Sequence, residues 1–147
     1  MKHPVKVILL LILFAALATW LYPTVIGYWA TLYIPLASKL PRTRIAQTAW
    51  LSAGGASGAA ICAFLLAWPL GFIIREKPII IGSVFGVLSA VFPWIAFIAT
   101  ISENGFNGFV TTIFVTEQIT FIVGSICFTY LGSRFSTKKA SRDLTND

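Results

Sequence analysis

Lysine and arginine are missing from three long intervals of this chain, 7–38, 45–74 and 78–132. A helix needs about 20 mostly apolar residues to cross the hydrocarbon layer of a bilayer. Within lipid the backbone must satisfy its own hydrogen bonds, which leaves helices and closed barrels. The intervals are long enough for helices and too continuous for alternating barrel strands. The third holds a turn signal, Ser102-Glu103-Asn104-Gly105 followed by Asn107-Gly108, that divides it in two. The reading is therefore four spans, at 5–22, 48–74, 79–101 and 108–132. Composition agrees. Only 11% of the 147 residues are charged, against about a quarter in soluble domains.

The expected fold is an all-α membrane protein, an antiparallel four-helix transmembrane bundle with an aromatic-rich extension after span 1. Residues 1–132 form the transmembrane domain. Residues 133–147 are a polar cytoplasmic tail without fixed structure. The extension follows Pro23, where a helix ends or bends. It carries Tyr28, Trp29 and Tyr33, with Trp20 and Tyr22 just before. Aromatics with a polar edge favour the membrane interface, so this segment reads as a bent continuation or an interfacial helix on the outer face.

Orientation comes from the basic residues. With the N-terminus inside, Lys2, Lys6, Arg75, Lys77, Arg134, Lys138, Lys139 and Arg142 are cytoplasmic, and Lys39, Arg42 and Arg44 are outside. That bias places both termini in the cytoplasm, and the size and simplicity of the chain suggest a bacterial inner membrane. A cleaved signal peptide is a rival for the start. Residues 1–6 are basic, 7–14 are apolar, and Ala16-Leu17-Ala18 resembles a cleavage site.

The net charge of +6 gives no nucleic-acid signal, because the basic residues sit at span ends, where lipid headgroups account for them. Cys62 and Cys127 both lie inside apolar runs, which leaves no disulfide framework. His3 is the one histidine and lies in the N-terminal tail. Neither a metal site nor another cofactor is expected between the spans.

Small residues recur at helix-packing spacing. Gly54 and Gly58 form a GxxxG pair in span 2, and Gly82, Gly86 and Ala90 continue the spacing in span 3. Such spacing lets helix backbones approach closely. The short Arg75-Glu76-Lys77 turn makes spans 2 and 3 the expected partners in a tight core. Pro69 and Pro93 fall inside spans and are expected to kink them.

Span 4 carries the residue hardest to place in lipid. Glu117 sits near its middle, in a stretch otherwise free of charge. Ionised, it costs about 2.5–3.5 kcal/mol on insertion scales. At 100° per residue Thr112, Thr116, Glu117, Thr120, Gly124 and Cys127 share one side, whereas Phe114, Ile119, Phe121, Ile122 and Ile126 fall elsewhere. A polar stripe on an apolar helix is expected to face the bundle interior or a wet cavity. No lysine or arginine in the other spans can neutralise Glu117, which points to protonation or to a partner in another chain.

Enzyme machinery is not evident. There is no nucleophile–base pair and no phosphate-binding glycine loop with its lysine. The leading expectation is a multi-pass protein acting non-catalytically through intramembrane contacts, of accessory, immunity or exclusion type, with a membrane-protein partner or a second copy. The alternative is a small proton- or cation-coupled transporter or channel using Glu117, with Thr112, Thr116 and Thr120 around it. A weaker third reading is a lipid-handling protein.

Overall fold

A computed structural model describes residues 4–41 and 43–143, with side chains as far as 137. Lys2, His3, Arg42 and Asp147, and the side chains of Lys138, Lys139 and Arg142, lie outside the described residues. The described chain is four long helices, α1 (Pro4–Tyr33), α2 (Arg44–Ile73), α3 (Pro78–Asn104) and α4 (Gly108–Asp143), with a 3₁₀ turn at Pro35–Lys39. Each is long and apolar enough to cross a membrane. The protein is a four-span integral membrane protein, and its helices pack as a bundle.

Local chemistry sets the helix ends. The Thr43 hydroxyl accepts from the Ala46 amide at 3.3 Å and caps α2. Pro78 opens α3, where a missing N–H costs nothing. Gly105, at φ 78°, closes α3 in a conformation that favours glycine. The Asn107 side chain then accepts from the Phe109 amide at 3.1 Å as α4 begins.

Of the alternatives at Pro23 the chain takes the continuation, with α1 helical to Tyr33. The segment after Gly132 is not structureless, because α4 runs on to Asp143. At 1.5 Å per residue its 36 residues measure about 54 Å, well beyond a hydrocarbon core of about 30 Å. Its polar last turns therefore emerge as helix. Pro69 and Pro93 likewise lie within continuous helices.

The larger correction concerns which helices touch. Around the bundle the order is α1, α2, α4, α3, and α2 and α3 scarcely meet beyond their connecting turn. The most extensive pairing is α2 with α4. Its facing positions rise together, Gly55 with Glu117, Ala63 with Gly124 and Gly71 with Thr129, so these two helices run parallel. The α3–α4 contacts run the other way, with Gly82 against Ile126 and Gly86 against Ile122. α1 and α2 are also antiparallel, with Gly54 against Tyr33 and Gly58 against Ile26. The small residues thus have different partners from those expected. Gly54 and Gly58 admit α1, Gly82 and Gly86 admit α4, and Ala90 is buried on the same side of α3. A short turn makes two helices consecutive without making them neighbours. The glycine faces decide the neighbours, because backbones approach wherever side chains are missing.

One end of the bundle carries the start of α1, the 74–77 turn and the end of α4. The other carries the 3₁₀ turn and the 105–107 loop, and is called the loop end below. α1 buries only Leu11 and Ala18 and turns Val5, Ile8, Leu9, Ile12 and Leu13 outward, as a lipid-facing helix does.

Candidate functional site

Glu117 lies where α4, α2 and α1 converge. It is half-buried. Its carboxyl rests on Gly55 of α2 so closely that a Cβ there would overlap Oε1. The Tyr22 hydroxyl of α1 reaches the same carboxyl, and Tyr33 is also close enough to sense its charge. Gln118, 1% exposed, donates from Nε2 to the Tyr22 hydroxyl at 3.1 Å. Phe121 meets the Tyr22 ring edge-on, with centroids 5.4 Å apart. Tyr22 therefore lies against both polar side chains of α4, and its hydrogen bond with Gln118 ties α1 to α4.

The rest of α1 is fixed against α2 by polar contacts. The Trp29 indole donates to Ser57 Oγ at 2.7 Å, and the Trp50 indole donates to the Tyr33 carbonyl at 2.9 Å. A Cβ at Gly54 would overlap the Tyr33 ring, and one at Gly58 would meet Trp29 Cδ1 at 3.0 Å. The aromatic segment at 22–33 supplies one wall of the Glu117 site. Tyr28 is an exception and faces outward.

A groove of about 540 Å³ opens between α2 and α4 at the loop end. Its lining includes Arg44, Thr48 and Ser52 from α2 and Thr112 and Thr116 from α4. Gly55, under Glu117, lies one turn beyond Ser52. Thr116 precedes Glu117 in the chain. Because α2 and α4 are parallel, both present their N-termini here, and the partial positive charge of those ends adds to Arg44 at the mouth.

The polar stripe read from the sequence is only partly gathered. Thr112 and Cys127 are exposed, and Thr116, Thr120 and Gly124 are half-buried. The three threonine hydroxyls bond their own helix, Thr112 to Gly108, Thr116 to Thr112 and Thr120 to Thr116, each at 2.8 Å. They are satisfied locally and are not directed at the carboxyl. The face that α4 buries lies nearly half a turn round the helix from the expected one. It comprises Gln118, Phe121, Ser125, Thr129, Gly132, Ser133 and Ser136. Glu117 and Gly124 occupy its border with α2. The stripe followed polarity, but a threonine bonded to its own backbone sits comfortably toward lipid. Phe121, placed off the stripe, is 2% exposed.

Four residues of the site escaped the sequence reading. Gln118 was legible as a second costly polar group beside Glu117. Tyr22 and Tyr33 were read only as interfacial aromatics, and Gly55 only as part of a glycine-rich run. Cys62 is buried in α2 near Tyr22, and Cys127 is exposed on α4.

Along the buried face of α4, several hydroxyls have no partner. Ser125 and Thr129 are fully buried, Ser136 is 1% exposed, and Ser89 of α3 is 5% exposed. None of the four makes a hydrogen bond among the described residues. An unsatisfied buried donor costs about 1–3 kcal/mol. Comparison with known protein families, curated proteins and solved structures finds no match.

Proposed function

We propose that this protein is a small proton-coupled membrane transporter or channel in which Glu117 binds and releases the proton. The observation that carries the reading is the Glu117 carboxyl seated on Gly55, one turn from Ser52 and next in the chain to Thr116, both of which line the α2–α4 groove. A carboxyl at membrane depth, in spans without lysine or arginine around it, is best accommodated as the neutral acid. The Tyr22 hydroxyl can donate to the carboxylate when the proton leaves. Both termini lie in the cytoplasm on this reading, and the groove opens outside.

The test is proton flux in sealed phospholipid vesicles, read with an enclosed pH-sensitive dye after an imposed pH step. The wild-type protein collapses the gradient. Glu117→Gln, which elutes and melts like wild type, does not. Equal flux from both proteins, or none from the wild type, refutes the proposal.

A second reading is action through intramembrane contact with a partner or a second copy. It is favoured by the outward face of α1, where Pro23, Thr24, Gly27, Tyr28 and Thr31 line a shallow hollow of about 270 Å³. Nothing approaches within 4 Å of the position a Cβ would take at Gly27. Gly27→Leu would fill that hollow. Loss of cross-linked oligomer or of a co-purifying partner supports this reading, and unchanged association sinks it.

A further inference from the structure

The groove comes closest to Glu117 from the loop end, at Ser52 and Thr116. Toward the other end its neighbours close tightly. Gly124 meets Ala63 across α2–α4, with 3.0 Å between Ala63 Cβ and the position a Cβ would take on the glycine. On the α3 side, Phe121 and Phe85 are 2% and 0% exposed, with ring centroids 6.1 Å apart. Below these rings the character of the seam changes. Ser125 and Thr129 face α3 at Gly82 and Gly86, whereas Ser89, one turn beyond Phe85 toward the loop end, lies on the carboxyl side of the rings.

Two features of these hydroxyls stand out. They are buried, and unlike Thr112, Thr116 and Thr120 on α4 they do not bond their own backbone. The seam is also too close for water in this conformation. A Cβ at Gly82 would lie 2.8 Å from Ile126 Cα, and one at Gly86 would lie 3.3 Å from Ser125 Cβ. Donors without partners, in an interface too tight to hydrate, mark a surface whose partners arrive in another arrangement. Below the rings the helices meet at Gly82, Gly86 and Ser125, small residues that leave few interlocking side chains there.

We infer that the α3–α4 seam lined by Ser125 and Thr129 is the second water path to Glu117, closed here and hydrated when α4 parts from α3. Phe85 and Phe121 are the plug that separates it from the carboxyl. The inference rests on the proton-handling reading above and supplies the exit that reading requires. With one path open and the other closed, the carboxyl faces one side at a time.

Single cysteines test it, in a background of Cys62→Ala and Cys127→Ala. Ser125→Cys and Thr129→Cys are close in size to the native residues. Val123→Cys, on the outward face of α4, is the lipid control. Each is reacted in vesicles with a small membrane-impermeant thiosulfonate, added from one side and then the other. Only a hydrated thiol forms the reactive thiolate, so the two seam variants should react at least roughly tenfold faster than the Val123→Cys control. They should do so only from the side carrying Arg134. Reaction no faster than the control from either side overturns the inference. The two proposals fail separately. Inert seam thiols with Glu117-dependent flux refute the second path alone. Reactive seam thiols with flux independent of Glu117 refute the coupling role and leave the path standing.

Discussion

Replacing Gly82 with alanine adds one carbon where α3 meets α4. That carbon would lie 2.8 Å from Ile126 Cα and 2.9 Å from the Ser125 carbonyl oxygen. Both are backbone atoms, so no side chain can rotate away. Ordinary carbon contacts sit at about 3.5–4.0 Å, so the helices must separate by roughly 0.7 Å or more. A gap of that size forfeits about a quarter to a half of each neighbouring dispersion contact. For a seam of about twenty atom pairs, each contributing about 0.1–0.2 kcal/mol, the loss is about 1 kcal/mol. Strain at the point of overlap brings the total into the range of about 1–3 kcal/mol usual for overpacking. Gly86→Ala should cost less, because its nearest atom is 3.1 Å away. Gly27→Ala meets nothing within 4 Å and should be neutral or stabilising by up to about 1 kcal/mol through helix propensity. Reversible unfolding in mixed micelles measures all three. The reasoning fails if Gly82→Ala is as stable as Gly27→Ala, or if the order of the three is reversed.

Two further outcomes are expected. Tyr22→Phe and Gln118→Leu should each destabilise the bundle by about 1 kcal/mol, and the double variant should cost less than their sum, because each removes the same hydrogen bond; strict additivity would show that Tyr22 and Gln118 are not coupled. Reporter fusions after Asp147 should read cytoplasmic and insertions within 41–47 should read external, given the distribution of basic residues; an external C-terminus would reverse the orientation.

The four helices were legible because lipid imposes one requirement on every residue of a span. Apolar length, broken by Arg75-Glu76-Lys77 and by the Asn-Gly turns, locates the spans without knowledge of packing. The arrangement of the helices was not legible in the same way. GxxxG spacing announces that a backbone will come close, but not which one. Gly54 receives an aromatic ring from α1, while its neighbour Gly55 receives a carboxyl from α4. Glu117 was conspicuous because a carboxyl has no inexpensive place in hydrocarbon. Its surroundings were obscure because Tyr22, in the first span, and Gln118, in the last, meet only through tertiary structure. Thr112 and Thr116 line the groove, but their hydroxyls are satisfied within their own helix, so polarity alone does not identify the buried face.

The parallel pairing of α2 and α4 bears on how the protein is assembled during synthesis. The chief partner of α2 is the last of the four helices to leave the ribosome. Until α4 is inserted, the surface of α2 at Gly55, Ala63 and Gly71 has only lipid against it, and α3 has no cover over Gly82 and Gly86. The three earlier helices cannot settle into their final arrangement in the order in which they are made. α4 acts as a keystone, entering between two helices that are already in the membrane. A chain cut short before Gly108 would keep three insertable spans and lose nearly all of the close backbone contacts that make them one protein.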